Sequence, residues 1–231
     1  LGPVQVMGDL YNSMLSTAAS AERIFQLLDT QPKIVDRPAA RPLPRIGGEV
    51  EFDHVFFRYD TTPEDQWILN EIAFRARPGE TIALVGETGS GKTSIVSLIA
   101  RFYEPQQGRI LVDGVDVAST TVESLRKQIG IVTQENFLFT GTVMENLKFG
   151  RAGAKDEEIM EAAKALGTHE IILRLQEGYE TKVGERGSNL SAGERQLLTF
   201  TRAMAANPRI LILDEATSAV DPHTEAVIQS A

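Results

Sequence analysis

The tightest limit on the fold of this 231-residue chain is a run of eight residues, Gly86-Glu87-Thr88-Gly89-Ser90-Gly91-Lys92-Thr93. It follows the short apolar run TIALVG and leads into the apolar, helix-like run SIVSLIARFY. A buried strand that turns through glycines into a helix is the opening unit of an α/β sheet. RILV, GIVT and RILILD are further candidates for buried strands, with helical stretches between them. Such alternation predicts an α/β fold that holds its ligands at the carboxyl ends of the strands. Upstream, EVEFDHVFFRY and WILNEIAFRA read as two more strands around the turn-rich DTTPED. Residues 141–206 read as mainly helical.

The first 30 residues differ in pattern. Met14, Ala18, Ala21, Phe25 and Leu28 recur at three- and four-residue steps, which predicts a helix. From Pro32 to Gly48 four prolines and two glycines deny the chain a helical ladder, so this stretch reads as a semi-rigid linker. The expected organisation is therefore a helix over 1–31, a linker over 32–47 and one domain over 48–231. The start at Leu1 and the stop at Ala231, inside a helical run, lead us to expect a fragment of a longer polypeptide.

Composition closes off several classes of function. Apolar residues make up 42%, enough for a packed core, which argues against disorder. With 23 basic against 32 acidic side chains and no long Lys/Arg run, a nucleic-acid partner is not expected. The absence of cysteine rules out disulfides, thiolate metal sites and a cysteine nucleophile in this chain. No basic leader opens it, and no run nears the ~18 apolar residues that cross a bilayer.

The spacing G-x-x-x-x-G-K-[ST] in this setting is that of a phosphate-binding P-loop. Gly89 and Gly91 let the backbone curl until several N–H groups face one set of phosphate oxygens. The helix that begins near Lys92 adds its positive end. Lys92 is then expected on the β- and γ-phosphates, and the Thr93 hydroxyl on Mg²⁺. Ile210–Leu213 is an apolar strand that ends in Asp214 and Glu215. Beside the P-loop strand, Asp214 would reach the Mg²⁺ shell and Glu215 would polarise a water toward the γ-phosphate.

On these residues the chain, over about 48–231, resembles the ABC ATPases. Leu190-Ser191-Ala192-Gly193-Glu194, directly before the helix RQLLTFTRAMAAN, is similar to the family's signature loop, usually L-S-G-G-Q. The resemblance implies that this turn binds the γ-phosphate held by an opposite subunit; the same residues also form an ordinary N-cap with a capping box. It further implies a RecA-like P-loop core with an antiparallel β-subdomain and an inserted helical signature subdomain. Mg-ATP hydrolysis is the implied reaction, with Gly86–Thr93 and Ser94 around the phosphates. Tyr59 matches the adenine-stacking aromatic, and Gln134 the glutamine near Mg²⁺ and the attacking water. In the loop Ser218–Asp221, Asp221 either crosses to the partner or caps a helix before Pro222. Thr181–Gly187 resembles the segment that meets the transmembrane helices of exporters, and AERIFQLLD the end of an exporter's last membrane helix. An exporter motor on the cytoplasmic face of a cell membrane is the implied role, with a transmembrane domain in the same polypeptide. The other readings are a soluble ABC ATPase and a nucleotide-binding regulatory subunit.

Two departures from the family pattern matter. Ala192 and Glu194 replace the usual glycine and glutamine, with a methyl and a negative charge close to the phosphate. A weakened signature with an intact Glu215 favours a heterodimer over a homodimer. The family's switch histidine lies on a strand beyond Ala231, so the sheet is expected to be incomplete at its C-terminal part. His54, His169 and His223 fall elsewhere and read as structural or surface residues.

Overall fold

The structure is a computed structural model that describes residues 2–133, 136–151 and 153–214, in two compact units divided between Val35 and Asp36. The first unit holds the helix expected at the start, α1 (Gly2–Asp29), none of whose residues is buried. Two of its hydroxyls, those of Thr17 and Ser20, each donate to the carbonyl four residues back. Among the described residues no helix is long and apolar enough to cross a membrane.

The second unit opens with β1 (Val50–Phe57) and β2 (Leu69–Ala76), paired antiparallel. With β3 (Gln107–Val112) and β4 (Val115–Asp116) they form a four-stranded sheet of order β2-β1-β3-β4. The period-two pattern of β1 sends Val50, Phe52, Val55 and Phe57 into the core, and Phe52 stacks on Phe74 at 4.7 Å. The period slips at His54, whose φ of 49° marks a bulge. Opposite it, a Cβ on Gly108 would lie 2.2 Å from the His54 carbonyl oxygen, so only glycine fits there. RILV, expected as a buried strand, joins this sheet instead, with Ile110 and Val112 buried and Leu111 on the other face.

Behind the sheet lie α2 (Lys92–Ile99) and α3 (Val122–Arg126). They are followed by β5 (Ile129–Val132), which pairs in parallel with β8 (Ile210–Leu213). One core joins Phe52, Phe57, Leu98, Leu125, Ile129 and Ile212. A second core lies among the helices α4 (Val143–Lys148), α5 (Asp156–Ala165), α6 (His169–Leu173) and α7 (Ala192–Ala205), around Leu147, Ile159, Ile172 and Leu198. The short pair β6 (Gly141–Thr142) and β7 (Lys182–Val183) closes this helical group. The architecture is thus mixed α/β, with an antiparallel sheet, a parallel pair and a helical insertion.

One expected strand is not formed. Residues 81–86, TIALVG, enter no ladder among the described residues, and Val85 is 93% exposed. An apolar run becomes a buried strand only where neighbouring strands take up its N–H and C=O groups. β5 and β8 pair with each other, and neither lends its outer edge to this run.

The proline-rich stretch also departs from a free spacer. From Asp36 onward it lies along the second unit, with Leu43 and Ile46 buried. The N–H groups of Leu43 and Ile46 donate to Ser124 Oγ and Gln128 Oε1 at 2.8 and 2.9 Å. Asp113 receives the N–H groups of Gly47, Gly48 and Glu49 on one carboxylate. Proline removes donors and sets φ, but remaining donors at Arg41, Leu43, Ile46, Gly47 and Gly48 find partners.

Candidate nucleotide site

The glycine turn and helix of the P-loop form where they are expected, from Gly86 into the first turn of α2, although the strand before them does not. Gly91 is the N-cap residue with φ 91°, and Gly89 has φ 85°, both in the left-handed region that glycine enters without strain. Gly91 is wedged against β2: a Cβ there would stand 2.6 Å from Leu69 Cδ2 and 3.2 Å from the Ile68 carbonyl oxygen. A Cβ on Gly86 would meet Ser90 Oγ at 2.5 Å. The Lys92 ammonium folds back to donate to the carbonyls of Gly86 and Glu87, at 2.8 and 2.9 Å. It therefore already spans the loop that an anion would fill.

Thr93, the next residue of α2, meets the end of β8. Its hydroxyl donates to Asp214 Oδ2 at 3.5 Å, across 121 residues of sequence. This brings together the two side chains that the sequence assigned to one metal shell. A hydroxyl and a carboxylate beside a phosphate loop are hard oxygen donors suited to Mg²⁺, which keeps several waters and takes few protein ligands.

Tyr59 sits just past β1, half-buried between the rings of Phe57 and Tyr103 at 4.9 and 5.0 Å. Its hydroxyl shares a 2.8 Å hydrogen bond with Ser94 Oγ in the first turn of α2. The ring that would carry adenine is thus anchored to the helix that would carry the phosphates. Nothing in the local sequence announces this bond, because its partners come from a strand end and a helix 35 residues apart.

The signature turn caps α7. Ser191 is the N-cap: its Oγ accepts from Glu194 N–H at 3.2 Å, and its own N–H donates to Glu194 Oε2 at 2.7 Å. The Glu194 carboxylate is accordingly engaged by the cap, while Ala192 and Gly193 open the helix behind it. Asn189 and Arg195, which the sequence did not single out, join this turn to residues 181–187. Asn189 accepts from Gly184 N–H at 2.8 Å and donates to the Lys182 carbonyl at 2.7 Å. Arg195 donates to the carbonyls of Gly187 and Leu190. Among the described residues no hydrogen bond or ion pair links the signature turn to the P-loop. Gln134, Glu215, Ser218–Asp221 and His223 lie outside the described residues. His54 pairs with Asp53 at the surface, which raises its pKa above the usual imidazole value, and His169 meets the Tyr179 hydroxyl at 2.9 Å.

Comparison with known proteins gives the same picture. The family model described as ABC transporter matches residues 69–218. The ABC transporter ATP-binding protein YknV of Bacillus subtilis (strain 168) is 49% identical over 229 residues, which is 99% of this chain and 37% of that protein. The ATP-dependent lipid A-core flippase of Syntrophus aciditrophicus (strain SB) is 45% identical over 99% of this chain and 37% of its own length. A solved structure of a bacterial Atm1-family ABC exporter with ATP bound aligns with a TM-score of 0.84 and 41% identity, over 99% of this chain and 39% of that one. The chain spans little more than a third of the length of these relatives. A family match across most of the second unit, on a P-loop that meets an acidic strand end, establishes that the chain belongs to the ABC transporter family and carries its ATP-binding domain.

Proposed function

We propose that this domain is the ATP-hydrolysing motor of an ABC exporter, on the cytoplasmic face of a cell membrane. The observation that carries the reading is the meeting of Thr93 with Asp214 at the mouth of the P-loop, in a fold that also offers a capped signature turn. ATP would lie with its phosphates over Gly86–Ser94 and its adenine on Tyr59. The backbone N–H groups and the α2 N-terminus hold the phosphates, and Lys92 leaves its carbonyl partners for the β- and γ-oxygens. Thr93 and Asp214, with Gln134, would hold Mg²⁺, whose charge offsets that developing on the phosphates. Glu215 orients the attacking water and accepts its proton.

The site is completed by a second ABC ATPase domain, whose signature turn closes on the γ-phosphate. Closure and release would then move the transmembrane part of the same polypeptide, met through residues 181–187. The bonds from Asn189 and Arg195 support this route, because they tie that segment to the signature turn. The names of the relatives support export in general: one is a flippase of lipid A-core, and the solved neighbour is an exporter.

Glu215→Gln in the full-length protein is expected to lower turnover by about 10²–10⁴-fold while ATP stays bound. Turnover at the wild-type rate would refute the assignment of Glu215. A heterodimer is the favoured assembly, because Ala192 and Glu194 weaken the signature this chain offers. Turnover per site should then rise several-fold when the chain is mixed with its partner, and full activity from this chain alone would establish a homodimer.

A further inference from the structure

The end of α2 remote from the phosphates is built around a charge cluster. The helix closes with Arg101 N–H on the Leu98 carbonyl at 3.0 Å and Phe102 N–H on the Ser97 carbonyl at 2.8 Å. This closure needs a left-handed residue just past the helix, a place usually held by glycine. Here it is Arg101, with φ 51°. Its side chain is fully buried. It donates to the Thr120 carbonyl at 2.7 Å and to Glu104 Oε1 at 2.9 Å, and it stands 3.8 Å from Asp36. A second guanidinium, Arg126, donates to the carbonyls of Ala100 and Arg101 at 3.0 and 2.8 Å. Burial, and then the nearby Arg101 charge, pull its pKa below the usual arginine value, while Asp36 acts the other way.

Asp36 belongs to the proline-rich strap and is the first residue of this unit. The same carboxylate oxygen accepts Val122 N–H at 2.8 Å, and Arg37 next to it reaches Glu104 at 3.3 Å. The strap then continues through the bridge from Arg41 to Thr120 and the buried Leu43 and Ile46. One end of α2 therefore carries the P-loop and the other carries the strap, over a helix of eight residues. A glycine at position 101 would close the helix with less strain. The arginine there instead gathers the Thr120 carbonyl, Glu104 and, at 3.8 Å, Asp36 of the strap.

We propose that Arg101 is a positioning residue, through which docking of the strap at Asp36 sets α2 and its P-loop for ATP. The proposal rests on ATP occupying the P-loop, and it makes the strap a mechanical input to that site in addition to residues 181–187. Linkage requires reciprocity: if strap docking tightens ATP binding by some factor, ATP must favour strap docking by the same factor.

The test uses the full-length protein, with ATP affinity and amide hydrogen exchange over residues 36–49 measured in parallel. In the wild type, ATP should slow exchange of these amides. Asp36→Asn removes the charge beside Arg101 but keeps an oxygen for Val122 N–H, so the fold is preserved. It should weaken ATP binding about fivefold and diminish the protection by a similar factor. Arg101→Met should abolish the protection and raise the KM for ATP more than it lowers kcat. Variants that melt at lower temperature but bind ATP as the wild type does would overturn the proposal, since a purely structural role predicts that result. ATP that binds without any protection of 36–49 in the wild type would overturn it as well. Failure of the wild type to bind ATP would instead strike the nucleotide site itself, and the proposal with it.

Discussion

Replacing Lys92 with alanine is expected to weaken ATP binding by about 100-fold or more, with little change in folding. Charge-assisted hydrogen bonds each contribute about 1.5–3 kcal/mol, and Lys92 would make them to two phosphates. The structure explains why folding should survive. The ammonium donates only to the carbonyls of Gly86 and Glu87, in a loop whose residues 81–90 are all exposed. Those carbonyls can turn to water when the ammonium is gone. Calorimetric titration with Mg-ATP, beside a thermal melt, reads both quantities. Equal affinity in mutant and wild type would remove the P-loop from the nucleotide site. A melting temperature lowered by many degrees would show that the ammonium holds the loop even without nucleotide.

Gly91→Ala is expected to harm fold and function together. The left-handed φ of 91° at this N-cap costs an alanine roughly 1–2 kcal/mol. The added methyl must also displace Leu69, which is buried at 2% exposure, and it approaches the backbone oxygen of Ile68. Overpacking of this kind typically costs about 1–3 kcal/mol. Together these give a loss of about 2–5 kcal/mol, a large part of the stability of an ordinary domain. Because Gly91 also starts α2, whatever relief the protein finds must move the phosphate-facing N–H groups. Denaturant unfolding and ATP titration on the same variant should show both losses. If stability falls while affinity is kept, the strain is relieved on the β2 side and the loop is untouched.

The elements of the candidate site differ in how far they could be read ahead. The glycine turn into α2, the capping box of Ser191 and Glu194, and the β1–β2 pair follow from short-range patterns, and each is formed as expected. The meeting of Thr93 with Asp214 was expected from paired motifs, because a hydroxyl and a carboxylate beside a phosphate loop suit one hard cation. The hydrogen bond between Tyr59 and Ser94 carried no such signal, and neither did the ties of Asn189 and Arg195. Each joins groups whose polarity fits many surfaces, and only the approach of distant segments gives them a partner.

A helix, its cap and a glycine turn satisfy their hydrogen bonds within a few residues, so α1, the P-loop turn and the α7 cap were already determined by local sequence. A strand and a buried charge cannot do so. The apolar run 81–86 has the composition of a central strand and yet enters no ladder, because a strand is a property of its neighbours. Four prolines mark a linker, but Ser124, Gln128 and Asp113 turn its second half into a docked strap. Arg101 looks like any helix-end arginine until Asp36, Glu104 and Thr120 gather around it. Tertiary structure alone decided these features, since burying a guanidinium is tolerated only where carboxylates and carbonyls from distant segments meet it.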